Sequence, residues 1–420
     1  MDIVHVSRTD LVGGRFNGYY MNAALAELGH SASMIVWQKE SESDWVHSCF
    51  PDSHSLSRHT LKLSNRIDRS IDLDGLTGLG GLLLSKQPKF QTADLLHLHL
   101  IHDSPWFSPL SLPSLAKQKP LVWTIHDCWA FTGSCVYPMD CDKWMSGCSG
   151  KCPYPRSHSF LRHLNPSLHW KIKKSIYKKL DATLVVASNW LQQRVKTSPL
   201  LKHMDCHLIP FGIDLNLFSP KSKANCKRRL GIDPEQKVIV FRAMKETVDK
   251  YKGIHWLREA LKIYQPQADT CILTVQDGQD FTELYPKYRV LNLNWTDGVQ
   301  LADALNAADV FLMPSTEESF GMMAIEAMAC GTPVIVFDGT ALPETIHADE
   351  GGGIVVPRKN SEELARAINQ VLENDSLRIE MGHNARNIAE KYYSFDTYIS
   401  RHLKLYESII ESHRKFSDYK

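Results

Sequence analysis

A chain of 420 residues is too long for one ordinary core and implies two or three domains. Its 48 basic and 47 acidic side chains nearly cancel, to a formal net charge of +1, so nothing global points to nucleic acid or another polyanion as partner. With 43% hydrophobic residues and no low-complexity run the chain reads as folded. The longest apolar stretch, around GLGGLLLS, falls far short of the about 18 residues that a membrane-spanning helix needs. The start, MDIVHVS, enters a strand-like alternation without the basic start and apolar core of a signal peptide, so the expected location is cytoplasmic.

In chain order the first half alternates strands and helices. DIVHVS is a strand, Tyr19 to Leu28 an amphipathic helix ended by Gly29, and SASMIVW, LLHLH, LVWTI and ATLVVAS are further strands. After HLIPFGIDLNLFSPKSK the pattern restarts with KVIVFR, a helix from Gly253 to Ile263, CILTVQ, RVLNL and a helix around Leu301 to Ala308. DVFLMP, a helix from Met322 to Ala329 closed by Gly331, and PVIVF follow. Helical segments run from about Ser361 to Lys391, and a last amphipathic helix from Tyr398 to Ser412. Strands alternating with helices predict an α/β chain with parallel sheets covered on both faces. The expected organisation is two doubly wound, Rossmann-like domains facing across a cleft, residues 1–209 and 210–395, with 396–420 packing back on the first.

In such sheets ligands bind beyond the carboxyl ends of the strands, so the loops after strands carry the candidates. After the first strand, Gly13 and Gly14 let a backbone approach a ligand, or make an ordinary tight turn; their spacing is not the dinucleotide-binding Gly-x-Gly-x-x-Gly. After LVWTI comes His126, a hydrogen-bonding partner for a sugar hydroxyl or a satisfied structural histidine. After KVIVF come Arg242 and, beyond an intervening segment, Lys252, which clamp a diphosphate or are two solvated cations. In STEESFGMMAIEAMACGTPVIV, Glu318 lies in a loop and Glu326 about two turns into the helix that follows, whose N-terminus suits an anion.

Two further features stand apart. Cys135, Cys141, Cys148 and Cys152, spaced C-x5-C-x6-C-x3-C in an insertion at about 128–155, suit a tetrahedral structural zinc, reduced thiols or a disulfide pair, or another metal. SLHWKIKKSIYKKLD sets Leu168, Ile172, Ile176 and Leu180 at four-residue spacing, with five lysines mostly on other faces. That is a core helix with a solvated basic face, or a contact with an anionic membrane surface.

PSTEESFGMMAIEAMACGTPVIV resembles the acid-x7-acid signature of glycosyltransferase family 4, retaining enzymes of the GT-B fold that use nucleotide-sugar donors. The resemblance takes in the Gly pair, TIHD, the IPFGID hinge, the Arg and KG pair, and ADVFLMPS. WTIHDCWAFTGSCVYPMDCDKWMSGCSGKCP looks like the branch containing bacterial colanic-acid, exopolysaccharide and O-antigen transferases. It implies that Glu326 holds the ribose hydroxyls, Glu318 lies against the donor sugar, and Phe320 and Gly321 offer backbone N–H groups. It also implies that Arg242 and Lys252 balance the diphosphate, Gly13 and Gly14 pack against it, and His126 touches the transferred sugar. The acceptor implied is a glycan or lipid-linked oligosaccharide. With cations and a helix N-terminus neutralising the leaving group, no cofactor is required for catalysis, zinc remaining a structural candidate. Two positions depart from the family, Phe241 where many members carry Gly and Phe211 where Asn is common. The competing readings are a nucleotide-sugar epimerase on the same fold and a noncatalytic sugar-nucleotide or glycan-binding module.

Overall fold

The computed structural model describes residues 1–50, 80–102, 106–153, 165–242, 251–275, 281–284, 286–293 and 297–418. The chain divides into two compact units, Met1–Ile209 with Ile399–Lys420, and Pro210–Tyr398.

The first unit is built on a seven-stranded, all-parallel sheet. Its strands are β1 (Asp2–Thr9), β2 (Ser31–Gln38), β3 (Val46–Ser48), β4 (Leu95–Leu98), β5 (Leu121–Thr124), β6 (Thr183–Val186) and β7 (Cys206–Leu208). They lie in the order 3-2-1-4-5-6-7. The second unit carries β8 (Lys237–Arg242), β9 (Thr270–Val275), β10 (Arg289–Leu293), β11 (Val310–Met313), β12 (Val334–Phe337) and β13 (Gly353–Val356) in the order 10-9-8-11-12-13, again parallel. Central strands such as VIVF in β12 are buried on both faces, as helices on both sides of a parallel sheet require. Both sheets reverse direction of winding once, between β1 and β4 and between β8 and β11. These are the topological switch points where doubly wound sheets leave a crevice.

Local chemistry sets the element ends. The helix Tyr19–Glu27 stops where Gly29 adopts φ 78°, as expected from its sequence. The last helix begins at Phe395, three residues earlier than its apolar periodicity suggests, and runs to Asp418, because the Thr397 N–H donates to Ser394 Oγ at 3.2 Å and caps that turn. From Ile399 onward this helix belongs to the first unit, where Tyr406 bonds His97 at 2.6 Å and Arg414 pairs with Asp94. The strands β3, β7 and β13 carry no clear sequence signal: two are three-residue edge strands, and β13 is four residues opening on the last of three glycines. The helix Met322–Ala329 has the expected bounds, and Glu326 is its fifth residue, little more than one turn in rather than about two.

The helix Pro166–Tyr177 exposes Lys171 and Lys174, but Lys173 is turned inward. Its ammonium donates to the carbonyls of Trp129 (2.5 Å) and Thr132 (3.1 Å) and sits 3.6 Å from the Trp129 ring centre. Leu168, expected on the apolar stripe, is 39% exposed instead. No described helix is long and apolar enough to cross a membrane.

Candidate functional site

The second unit gathers its candidates at its switch point. Arg242 ends β8, and the β11 strand beside it leads through Pro314–Gly321 into the helix Met322–Ala329. Two loops meet there. The N–H of Thr316 donates to the Tyr251 carbonyl at 2.7 Å, and a Cβ on Gly253, which has φ 72°, would fall 1.9 Å from the Pro314 oxygen. The backbones therefore touch, and Lys252 is delivered to Glu318: Nζ to Oε2 is 2.6 Å. Both side chains are mostly buried, the glutamate more than the lysine. Gly253→Ala is expected to break this contact, destabilising the unit by about 1–3 kcal/mol through strain and displacement and misplacing Lys252. Thermal unfolding of the variant, followed by binding of nucleoside diphosphates, checks both consequences.

Gly321 has φ 104°, and a Cβ there would lie 2.4 Å from Leu342 Cδ2, so only glycine fits. It opens the helix Met322–Ala329 without a side-chain cap, which leaves the first-turn N–H groups and the positive dipole end for an anion. Phe320 packs edge-on against Phe211 (5.2 Å) and Tyr393 (5.7 Å), giving the departure at Phe211 a packing role. Glu326 is fully buried, so any hydrogen bond it makes to a ligand acts in a low dielectric. Glu317 is buried as well, with Arg358 Nη1 at 3.7 Å. The segment between Arg242 and Lys252 lies outside the described residues.

The first unit has its own group at its switch point. Asn17 Nδ2 donates to the carbonyls of Thr9 (2.9 Å) and Asp10 (3.0 Å), and Asp10 accepts from the N–H groups of Glu40 and Ser41, both 2.9 Å. That frame holds the turn at Gly13, whose φ is 82°. A Cβ on Gly13 would stand 2.9 Å from the Phe16 ring, and Phe16 packs on His126 at 5.3 Å. The turn and His126 are thus brought together, with Gly14 beside them. Burial lowers the His126 pKa against the opposing pull of Asp127, so the imidazole is neutral and hydrogen-bonds without charge.

Sequence reasoning missed His102. Its Nε2 lies 2.9 Å from Asp127 Oδ2, and its ring stacks on Trp129 at 5.0 Å. Burial alone would raise the Asp127 pKa, but the charge and hydrogen bond of His102 and the Trp129 N–H outweigh it and hold Asp127 below its ordinary range. A carboxylate orienting an imidazole in this way makes it a directional hydrogen-bonding group. The available signal was the repeated Ile-His-Asp, at 101–103 and 125–127 after neighbouring strands.

Metal-ligating groups fall in two places. Among the described residues, the group of three with ligand atoms within 4.8 Å of one another is His5, His97 and His99. Its geometry is that of a hydrogen-bonded core: His97 uses both nitrogens, on Tyr406 (2.6 Å) and Thr124 (2.7 Å), and His5 Nδ1 meets His99 Nε2 at 3.0 Å. A Cβ on Gly18 would come within 2.5 Å of that same His5 nitrogen, so backbone occupies the space beside the pair. The four cysteines are unpaired thiols in a looser cluster, with Cys135 pushed up to about 12 by burial and by the other three.

Residues 222–388 match the protein family described as Glycosyl transferases group 1. An uncharacterized glycosyltransferase of Methanocaldococcus jannaschii is 31% identical over 209 residues, covering 48% of this chain and 52% of that protein. The chain spans about half or less of the length of the first curated relatives it matches. Two solved structures share the whole fold. Sucrose-phosphate synthase from Thermosynechococcus elongatus superposes with a TM-score of 0.68 at 19% identity, over 98% of each chain. Anabaena HepE, in complex with UDP and glucose, superposes at 0.66 and 16% identity, over 97% of this chain and 100% of that one. The architecture of two parallel Rossmann-like sheets is that of GT-B glycosyltransferases.

Proposed function

We propose that the chain is a retaining glycosyltransferase that moves a hexose-type sugar from a nucleoside-diphosphate sugar to a glycan or lipid-linked acceptor. We place it in bacterial surface polysaccharide assembly, with the colanic-acid, exopolysaccharide and O-antigen type that Trp123–Pro153 resembles. The observation that carries the reading is the Lys252–Glu318 pair, set by touching loops at the β8/β11 switch point next to Arg242 and the uncapped helix at Gly321. A matched family of glycosyl transferases over this unit supports it, as does HepE, solved with UDP-glucose.

Glycosyl transfer breaks the bond between the anomeric carbon and phosphate, so negative charge grows on the leaving diphosphate and positive charge on the ring. Arg242, Lys252 and the helix N-terminus neutralise the first. Glu318, freed from Lys252 as the phosphates arrive, faces the second, and Glu326 takes the ribose hydroxyls. Attack comes from the departing side, with a donor phosphate oxygen accepting the acceptor's proton. Gly13, Gly14 and neutral His126 serve the phosphate and the transferred sugar, and His102, aimed by Asp127, serves an acceptor hydroxyl. The exposed Lys171, Lys174, Lys178 and Lys179 suit peripheral contact with anionic lipid bearing such an acceptor.

Incubation with UDP-, GDP- and ADP-hexoses and a lipid-linked oligosaccharide, with the product's anomeric configuration read by NMR, tests the proposal. Transfer with retained configuration is expected. A donor epimerised without acceptor, or bound without turnover, overturns it.

A further inference from the structure

We infer that Arg358 is a positioning residue for the Lys252–Glu318 pair: from the loop after β13 it grips the turn at Thr316 and Glu317 and so fixes where the two charged side chains stand. The inference deepens the proposed function, since its bearing on catalysis rests on that reading of the pair. The arginine is itself well seated. Its N–H donates to Asp338 Oδ1 at 2.7 Å, in the loop after β12. Its side chain runs over Gly339, where a Cβ would stand 3.6 Å from both Cδ and Nε. The guanidinium ends beside the loop after β11, with Nη1 3.4 Å from the Thr316 carbonyl oxygen and 3.7 Å from Glu317 Oε1. One residue thus joins the loops that follow three neighbouring strands of the sheet.

Both guanidinium contacts are long for charge-assisted hydrogen bonds, so the grip rests on charge more than on direction. Glu317 keeps 3% of its side chain exposed, against 26% for Arg358. A carboxylate withdrawn that far from water needs a cation close by, and removing the cation leaves a buried charge uncompensated. The chain relieves that charge by swinging Glu317 toward water.

Such a movement does not stay local. The Thr316 N–H donates to the Tyr251 carbonyl at 2.7 Å, and the Glu317 N–H shares the same oxygen at 3.4 Å. Lys252 is the next residue after Tyr251, and its Nζ stands 2.6 Å from Glu318 Oε2. On the far side the Glu318 carbonyl accepts the Ala341 N–H at 3.1 Å. Glu317 therefore lies between the backbone bonds that set the pair, those to Tyr251 and the one from Ala341, and Arg358 holds it there.

The test reads Lys252 directly, by limited acetylation of the full chain with acetic anhydride and mass spectrometry of the peptide that carries it. In Arg358→Ala, Lys252 is expected to label about 2- to 5-fold faster than in the parent, through loss of one partly exposed ion pair. Loss of a positive charge on its own would slow the labelling, so a faster rate reports displacement. Arg358→Lys should label as the parent does, and adding Glu317→Gln to Arg358→Ala should return the rate to the parent's. With UDP-, GDP- and ADP-glucose as donors, the kcat for sugar release to water should fall about 10- to 100-fold in Arg358→Ala and recover in the same double variant. Should Arg358→Ala fail to fold, Arg358→Gln takes its place. Labelling at the parent's rate in the folded variant, or faster labelling that Glu317→Gln leaves unreversed, overturns the inference. The labelling needs no donor, so a parent chain that hydrolyses none of the three counts against the proposed function and not against the placing of the pair by Arg358.

Discussion

Lowering the pH from about 7 to about 5 is expected to destabilise the first unit, by about 2 kcal/mol through His5 alone and further through His97 and His99, against a domain's ordinary about 5–15 kcal/mol. His5, His97 and His99 are buried side by side, and His402 packs on His97 at 5.7 Å. Burial, with the neighbouring imidazoles, pulls all three pKa values down, His5 to about 3 from an ordinary 6.5. Because the folded pKa lies below the unfolded one, the unfolded chain binds more protons at every pH between them. The stability is therefore full above about pH 6.5 and is lost as pH falls below it, at about 1.4 kcal/mol per pH unit for each histidine. His126, whose pKa burial lowers to about 3, adds to the loss in the same direction. The depressed carboxylates, Asp10, Asp127 and Asp309, lose their contribution only below their ordinary value of 3.8, so they do not share this window. Urea unfolding at intervals from about pH 8 to about pH 4.5 checks it. A midpoint unchanged across that range would rule out a neutral histidine core.

Replacing Lys252 by Ala is expected to lower kcat/KM about 100- to 1,000-fold, the usual effect of removing one group aimed at developing charge. Its effect on stability should be small, under about 1 kcal/mol, because the lysine is partly solvated in its pair with Glu318. That contrast separates a ligand-directed cation from a structural ion pair. Glu318→Ala should mainly reduce turnover, and Glu326→Ala should mainly weaken nucleotide binding, since the two acids stand at different depths, one in the loop and one in the helix. Steady-state kinetics with isothermal titration of each variant would show it. Equal donor affinity and full turnover in both acid variants would sink these assignments.

Much of the fold is legible in sequence because buried parallel strands leave apolar runs: KVIVFR and the helix from Met322 to Ala329 coincide with their elements. The three-residue edge strands β3 and β7 leave no such run and pass unnoticed. At the site, the loops are legible because each follows a strand, but the pairing of Lys252 with Glu318 is not. It depends on Gly253 meeting the Pro314 carbonyl, a contact between segments 61 residues apart that no local pattern carries. Lys173 shows the same limit, for helical periodicity assigns a lysine to solvent and cannot see two carbonyls and an indole waiting for it. His102 hides likewise, because its partner Asp127 comes from the next strand's loop.

The most direct test of the donor site is calorimetric titration of UDP, GDP and ADP into the full chain, with Lys252→Ala and Glu326→Ala as controls. Binding of one nucleoside diphosphate in preference to the others, weakened in both variants, is the predicted result. A folded chain that binds none of the three, or binds one equally well in both variants, would contradict it.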